Sequence, residues 1–252
     1  MMMNKPQVQR IRDLTVVRRG EGRVLVIGCD SSASIGNKPM DAVQTSPEIA
    51  GYYAARVAVM EVLSAGAEIL TVVDTLAVEK EPTGNEIIRG ISRLLEEAGL
   101  TAAHVNGSTE DNFATSQTGI GITVIGEADE AHLKLGCSQA GDCIVMLGEP
   151  LVGSAVLEQE ASLCTLPQLQ LLLAAPEVHD IHPVGSKGAG YEAGLMAELN
   201  GCSFRPVPGI TEMLEASGGP ATAVIFAAEE QHLAGLQSGI GGKMEIIGYL
   251  QP

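Results

Sequence analysis

The sequence predicts a two-domain α/β (α+β) protein, on three observations. Short β-branched runs alternate with helical periodicities in both halves of the chain, which is the pattern of mixed α and β layers. At 252 residues the chain exceeds one average domain. A polar, turn-like stretch, Gly126-Glu127-Ala128-Asp129-Glu130, is followed by a fresh order of strand, loop and helix from Cys143. The expected domains are therefore residues 1–128 and 129–252.

The first expected strand is the apolar run Arg23 to Gly28, which delivers Asp30, Ser31 and Ser32 to a Ser/Gly-rich loop. Ser46-Pro47-Glu48 then has the order of cap, first-position proline and first-turn acid, so a helix is expected from Pro47 to Ala65, closed by Gly66. Its small stripe of Ala50, Ala54 and Ala58 permits close packing. Ile69 to Val78 reads as a strand carrying one acid, Asp74. Ile87, Ile88, Ile91, Leu94 and Leu95 have the period of an amphipathic helix ended by Gly99. Ala102 to Asn106 and Thr118 to Ile125 read as strands around a loop from Gly107 to Asn112. In the second half a strand is expected at Cys143 to Leu147 and a leucine-rich helical stretch near Leu151 to Ala175. A loop from His179 to Glu192 then runs into a helix, and apolar runs follow at Ala221 to Ala228 and Met244 to Leu250.

Charge excludes several functions. Fifteen Lys and Arg against 31 Asp and Glu give a net charge of −16, which opposes nucleic acid and anionic membrane as partners. Aromatic residues are only 3% of the chain, too few for stacking on bases. The five cysteines are widely spaced without a C-x-x-C pair, so neither a disulfide framework nor a zinc site is indicated, and reduced, mostly buried thiols are expected. The opening MMMNKPQVQRIRDL lacks an apolar core behind its basic residues, and no window reaches a membrane-spanning length. A cytoplasmic location is expected.

An acidic protein that handles an anionic substrate needs backbone N–H groups or carboxylate-held cations. No Walker A sequence, GxGxxG or HExxH is present. What remains is a series of acids, Asp30, Asp41, Glu61, Asp74, Glu110 and Asp111, spread over strand ends and loops. Taken singly each reads as a solvated or capping acid; together they fit Mg²⁺, which takes one or two carboxylates plus phosphate oxygens and water. The loop Gly185-Ser186-Lys187-Gly188 before a helix start has the makings of an anion nest, against a plain Gly-rich connection. His179 and His182, three apart, would point to opposite faces of a strand, and His182 adjoins the glycine loop. Arg56 among alanines reads as a snorkelling or paired residue, and Cys29 has no adjacent His to activate it.

The order of the DSSASIG loop, the GYYAARVAVMEVLSAGA helix, the ILTVVDTLAV strand, VNGSTEDN, TGIGITVIG, AGD, LGEPLVGSAVL and HPVGSKG resembles the aminoimidazole ribonucleotide synthetase-like superfamily over nearly the whole chain. Its members include thiamine-monophosphate kinase, selenophosphate synthetase and a hydrogenase maturation dehydratase. The resemblance implies ATP and Mg²⁺ as cofactors and N-terminal sheets that pair across a homodimer. It implies that Asp30 is the first-loop acid and that Glu61 stands where the superfamily has an Asp. Gly107, Ser108 and Thr109 fall on a Gly-Gly-Asp-Thr stretch, so the Asp has become Ser108, with Glu110 or Asp111 as possible substitutes. Within the superfamily the combination looks most like the α-ribazole kinases, which phosphorylate the primary hydroxyl of an α-riboside.

The expected activity is ATP-dependent phosphoryl transfer to a small molecule. Asp30, Glu61 and Glu110 would hold metal; Gly107, Ser108, Thr109, Gly185, Ser186, Lys187 and Gly188 would bind the cofactor. Asp74, Asp111 and His182 are the candidates for the acceptor's general base. A thiamine-monophosphate kinase-like or dehydratase-like activation, or a nucleotide-binding protein without catalysis, are the alternatives.

Overall fold

The computed structural model describes residues 7–18, 20 and 22–252; the opening MMMNKP segment, read above for a leader, lies outside them. The chain divides into two compact units, Met1–Leu63 with Ala67–His132, and Ser64–Gly66 with Leu133–Pro252.

In the first unit the strands are β1 (Gln7–Ile11), β2 (Leu14–Arg18), β3 (Arg23–Ala33), β6 (Glu68–Leu76), β7 (His104–Thr109) and β8 (Gly119–Asp129), with a short ladder of β4 (Ile35–Gly36) and β5 (Val43–Gln44). They form a six-stranded sheet in the order β1-β2-β3-β8-β6-β7, antiparallel except for the parallel pair β6 and β7. Two helices, α1 (Pro47–Ser64) and α2 (Asn85–Glu97), complete the unit.

The α1 cap forms as its sequence dictates: Ser46 Oγ accepts from the Ile49 N–H at 3.2 Å, with Pro47 at the first helical position. Ala50, Ala54 and Ala58 are buried. Close approach is why small residues are needed here. A Cβ at Gly28 or Gly126 would meet Val62 of α1, and one at Gly51 or Gly90 would collide with the backbone of the opposite helix. In α2, Ile87, Ile91, Leu94 and Leu95 are buried, the face that the period marked. Along the sheet, Leu14, Val16, Val24, Val26, Val72, Ile122 and Val124 make the buried face, with alternate positions Leu25, Ile27, Val73 and Ile125 half-exposed on the other.

Four local expectations are corrected. The first strand does not stop at Gly28: β3 continues to Ala33, because Asp30, Ser31 and Ser32 pair in register with Ile122, Gly121 and Ile120 of β8. Gly107 to Thr109 is likewise strand, carried by its parallel ladder with β6. The Gly126 to Asp129 stretch is the end of β8, paired with Arg23 to Val26, so the polar residues there are not a turn. The region near Leu151 to Ala175 is interrupted, with α3 (Ala155–Glu158) and α4 (Leu166–Ala174) separated by extended residues and a short 3-10 turn.

The second unit holds a five-stranded antiparallel sheet in the order β10-β12-β9-β13-β11, from β9 (Cys143–Leu147), β10 (Val178–Pro183), β11 (Ser203–Pro206), β12 (Val224–Ala228) and β13 (Met244–Gln251). With α3 and α4 it carries α5 (Ala189–Leu199), α6 (Thr211–Glu215) and α7 (Leu233–Ile240). Ile144, Met146, Ala193, Met196, Ile225 and Ile247 belong to its core. The cysteines are free as expected, but Cys29 and Cys137 are exposed and only Cys143 and Cys164 fully buried. Among the described residues no helix is long and apolar enough to cross a membrane.

Candidate functional site

Pairing in the first sheet gathers most of the acids at one end. Asp30 of β3 is the register partner of Ile122 on β8, Ile122 is the partner of Asp74 on β6, and Asp74 is the partner of Gly107 on β7. Residues in one row across a sheet share a face, so Asp30, Asp74 and Gly107 lie on the helix-bearing side, while Ser108, partner of Thr75, lies on the other. Two strand spacings separate the Asp30 and Asp74 rows, about 10 Å.

Asp30 lies close enough to Glu61 for its charge to act on it, and Arg12 and Asp13, which the sequence did not single out, join them. Arg12, in the β1–β2 turn, donates from Nη2 to Glu61 Oε2 at 2.9 Å, with the Arg12 side chain 3% exposed. Burial pushes the Glu61 carboxyl up, opposed by Arg12 and reinforced by the charges of Asp13 and Asp30. Burial also raises Asp30, against a hydrogen bond from the Ser31 N–H, and Asp13 adds to the rise. Glu61 thus pairs with Arg12 while Asp13 and Asp30 add negative charge around it, and Asp13 itself pairs with Arg10 at 3.2 Å. The only sequence signal for Arg12 and Asp13 was a charged pair at a turn, which is common on any surface.

Asp74 sits differently. The residue is 2% exposed, and its Oδ1 is buried with no hydrogen-bond partner. Burial raises its carboxyl, offset in part by its own backbone N–H. Gly107 is exposed beside it on the edge strand, and a Cβ there would collide with the Asp74 carboxyl group and carbonyl oxygen.

The remaining acids of this unit hold loops. Asp111 accepts from the Lys80 N–H at 2.9 Å and from Thr109 Oγ1 at 2.7 Å, and these bonds, the Lys80 one foremost, keep its carboxyl below the usual range. The Glu110 N–H donates to the carbonyls of Leu76 and Val78, and its Oε1 accepts from the Asn112 N–H at 2.7 Å. Asp41 clamps Thr118 N–H and Oγ1 at 2.8 and 2.7 Å and the Lys38 N–H at 2.9 Å. Among the described residues, no group of three or more His, Cys, Asp or Glu is arranged to hold a metal ion by itself. Mg²⁺ shared with phosphates takes only one or two carboxylates from a protein, and Asp30 and Glu61 are the pair that could supply them.

In the second unit the Gly185–Gly188 loop is fixed by the Gly218 N–H and the Gly188 N–H, which both donate to the Gly185 carbonyl, at 3.0 and 3.2 Å. Gly188 has φ +84 and would, with a Cβ, collide with the Leu214 carbonyl, so glycine is required there by backbone and by space. Ser186 and Lys187 are exposed, and Lys187 Nζ lies 4.1 Å above the Tyr191 ring. His179 and His182 have different surroundings: His179, at an irregularity of β10, meets Asp142 through Nδ1 at 2.8 Å, while His182 is fully buried, 3.5 Å from Asp180 and 3.9 Å from Glu192. A cavity of about 440 Å³ elsewhere in the unit, lined by Leu171, Glu177, His232, Leu236 and Ile240 among others, contains none of the candidate residues.

Residues 12–128 match the family described as AIR synthase related protein, N-terminal domain. That segment, just under half of the chain, is similar to this family. It contains the Asp30–Glu61 cluster, the Asp74 row and the Gly107–Asp111 edge. No curated protein sequence matches the chain. Beyond that segment, the likeness to solved structures runs nearly the length of the chain. Thiamine-monophosphate kinase from Stenotrophomonas maltophilia is similar at 16% identity, with 98% of this chain and 88% of that chain covered and a TM-score of 0.63. AaThiL complexed with AMPPCP and TMP gives 13%, 95%, 84% and 0.65. Hydrogenase maturation protein HypE in complex with ATP gives 14%, 90%, 76% and 0.61. At these identities the likeness shows a common fold.

Proposed function

We propose that the protein binds ATP with Mg²⁺ and transfers the γ-phosphoryl group to a small-molecule hydroxyl, and that the acceptor is an α-riboside, as in α-ribazole kinase. The observation that supports this reading is that Asp30 and Glu61, far apart in sequence, are brought close enough for the Asp30 charge to act on Glu61, within a segment similar to the AIR synthase-related N-terminal domain. Related folds are seen with AMPPCP and with ATP. Mg²⁺ bound by Asp30 and Glu61 would neutralise charge on the transferring phosphoryl group. Glu110 adds a third carboxylate at the same end of the sheet, and Ser108 and Thr109 follow Gly107 along its edge. The Gly185–Gly188 loop and Lys187 would take a phosphate or the acceptor. A homodimer is part of the same reading: Leu25, Ile27, Val73 and Ile125 are half-exposed on the sheet face away from the helices, an apolar surface suited to a second copy.

The test is incubation of purified protein with γ-labelled ATP, Mg²⁺ and a panel of nucleosides, α-ribosides and thiamine monophosphate. Label on the hydroxyl of an α-riboside is the expected result. Label on thiamine monophosphate would replace the acceptor, released phosphate would indicate a dehydratase-like activation, and ATP binding without consumption would indicate a nucleotide-binding protein without catalysis.

A further inference from the structure

Three residues could take the proton of an acceptor hydroxyl, and the structure separates them. Both Asp111 oxygens already accept hydrogen bonds, from Lys80 and Thr109. His182 lies in the second unit, near the carboxylates of Asp180 and Glu192 at 3.5 and 3.9 Å. Asp74 is a carboxylate whose Oδ1 has no hydrogen-bond partner among the described residues, at 2% exposure, in a strand whose neighbouring inward positions are Val72 and Leu76.

Packing does not explain that side chain. An apolar residue would continue the buried row, whereas a buried carboxylate oxygen without a donor opposes folding. The surroundings are shaped for it all the same. Its register partner on the edge strand is Gly107, exposed and without a side chain, and any Cβ there would collide with the carboxyl group. The Asp74 carboxyl group therefore packs directly against the exposed edge strand, in the space that a side chain at Gly107 would take.

We infer that Asp74 is the catalytic residue that accepts the proton of the acceptor hydroxyl, at a subsite on the edge of the N-terminal sheet beside Gly107. The inference rests on the phosphoryl-transfer reading above. In the step, the hydroxyl oxygen forms a bond to the γ-phosphorus as its proton passes to Asp74 Oδ1. The bond from the γ-phosphorus to the β,γ-bridging oxygen breaks, ADP leaves with that electron pair, and Asp74 later returns the proton to water. No charged side chain contributes to its proton affinity, which burial raises and its own N–H lowers, so the group is a stronger base than a solvated Asp. A lone buried carboxylate also repels an anionic acceptor group. That favours a neutral sugar hydroxyl over a phosphate as the attacking group.

The experiment compares wild type with Asp74→Asn in ATP binding, single-turnover label transfer to an α-riboside against pH, and melting temperature. The isosteric amide should leave the ATP dissociation constant within about twofold and lower the single-turnover rate by at least about a hundredfold. The wild-type rate should rise with pH through the Asp74 titration, and that acid limb should be missing in the variant. Melting temperature should hold or increase, since an unpartnered charge has been removed; a merely structural Asp74 would instead lose stability. A variant rate within about threefold of wild type, or one that keeps the acid limb, overturns the assignment while leaving the kinase reading intact. Wild type that binds ATP but labels no hydroxyl overturns the kinase reading, and the assignment with it.

Discussion

Asp74 and Gly107 face each other across the parallel ladder of β6 and β7, and the Asp74 carboxyl group occupies the space that a side chain at Gly107 would need. Glycine at that position is fixed by its neighbour, not by its own backbone angles, which are ordinary for a strand. The pair also ties the interior of the first unit's sheet to its edge.

Gly107→Ala should consequently destabilise the protein by about 1–3 kcal/mol, the usual cost of overpacking. Asp74→Ala in the same chain should restore only part of this, because the Asp74 carbonyl oxygen also stands in the way. Urea unfolding of the single and double variants checks it, and an unchanged midpoint for Gly107→Ala would contradict the geometry.

Arg12→Ala should cost about 3 kcal/mol, since it strands Glu61, 16% exposed, beside Asp13 and Asp30. Adding Glu61→Gln should recover most of that loss by removing the stranded charge. Equal stability of the single and double variants would show that the ion pair is not what Arg12 holds in place.

Asp41→Asn reads out a pH dependence of known sign. Burial raises the Asp41 carboxyl, but the Thr118 N–H and hydroxyl and the Lys38 N–H outweigh it and bring it below its ordinary value. A depressed carboxylate contributes stability that is present above its unfolded value of about 3.9 and lost as pH falls through its folded value. The variant should therefore be less stable by about 1.5–3 kcal/mol near neutral pH, and the gap should close below about pH 4. A gap that stays constant from neutral to acid pH would show that the clamp does not depend on charge.

Elements whose signals are local were legible in the sequence. Ser46-Pro47-Glu48 marks the start of α1 because cap, proline and acid act within one turn, and the α2 face follows from the spacing of Ile87, Ile91, Leu94 and Leu95. Strand residues held by distant partners were not. Ser31 and Ser32 read as loop because they are polar, yet the β8 ladder supplies their hydrogen bonds whatever their side chains. The break between α3 and α4 was hidden by continuous leucine-rich composition. In the candidate site, Asp30 and Glu61 were found by resemblance, while Arg12 and Asp13 could be found only once β1 and β2 had brought their turn to α1. The distinction between Asp74 and Asp111 lies in which oxygens have donors, and no one-dimensional pattern carries that.

Equilibrium binding of ATP to wild type and Asp30→Asn, with Mg²⁺ and with excess EDTA, tests most directly whether the nucleotide and its metal sit at the Asp30–Glu61 cluster. Wild type should bind ATP with Mg²⁺ and lose that binding in EDTA. Asp30→Asn should bind at least about tenfold more weakly, about 1.4 kcal/mol, with its fold retained. Binding undiminished by EDTA, together with wild-type affinity in Asp30→Asn, would contradict the placement of the nucleotide site on this domain's Asp30 end.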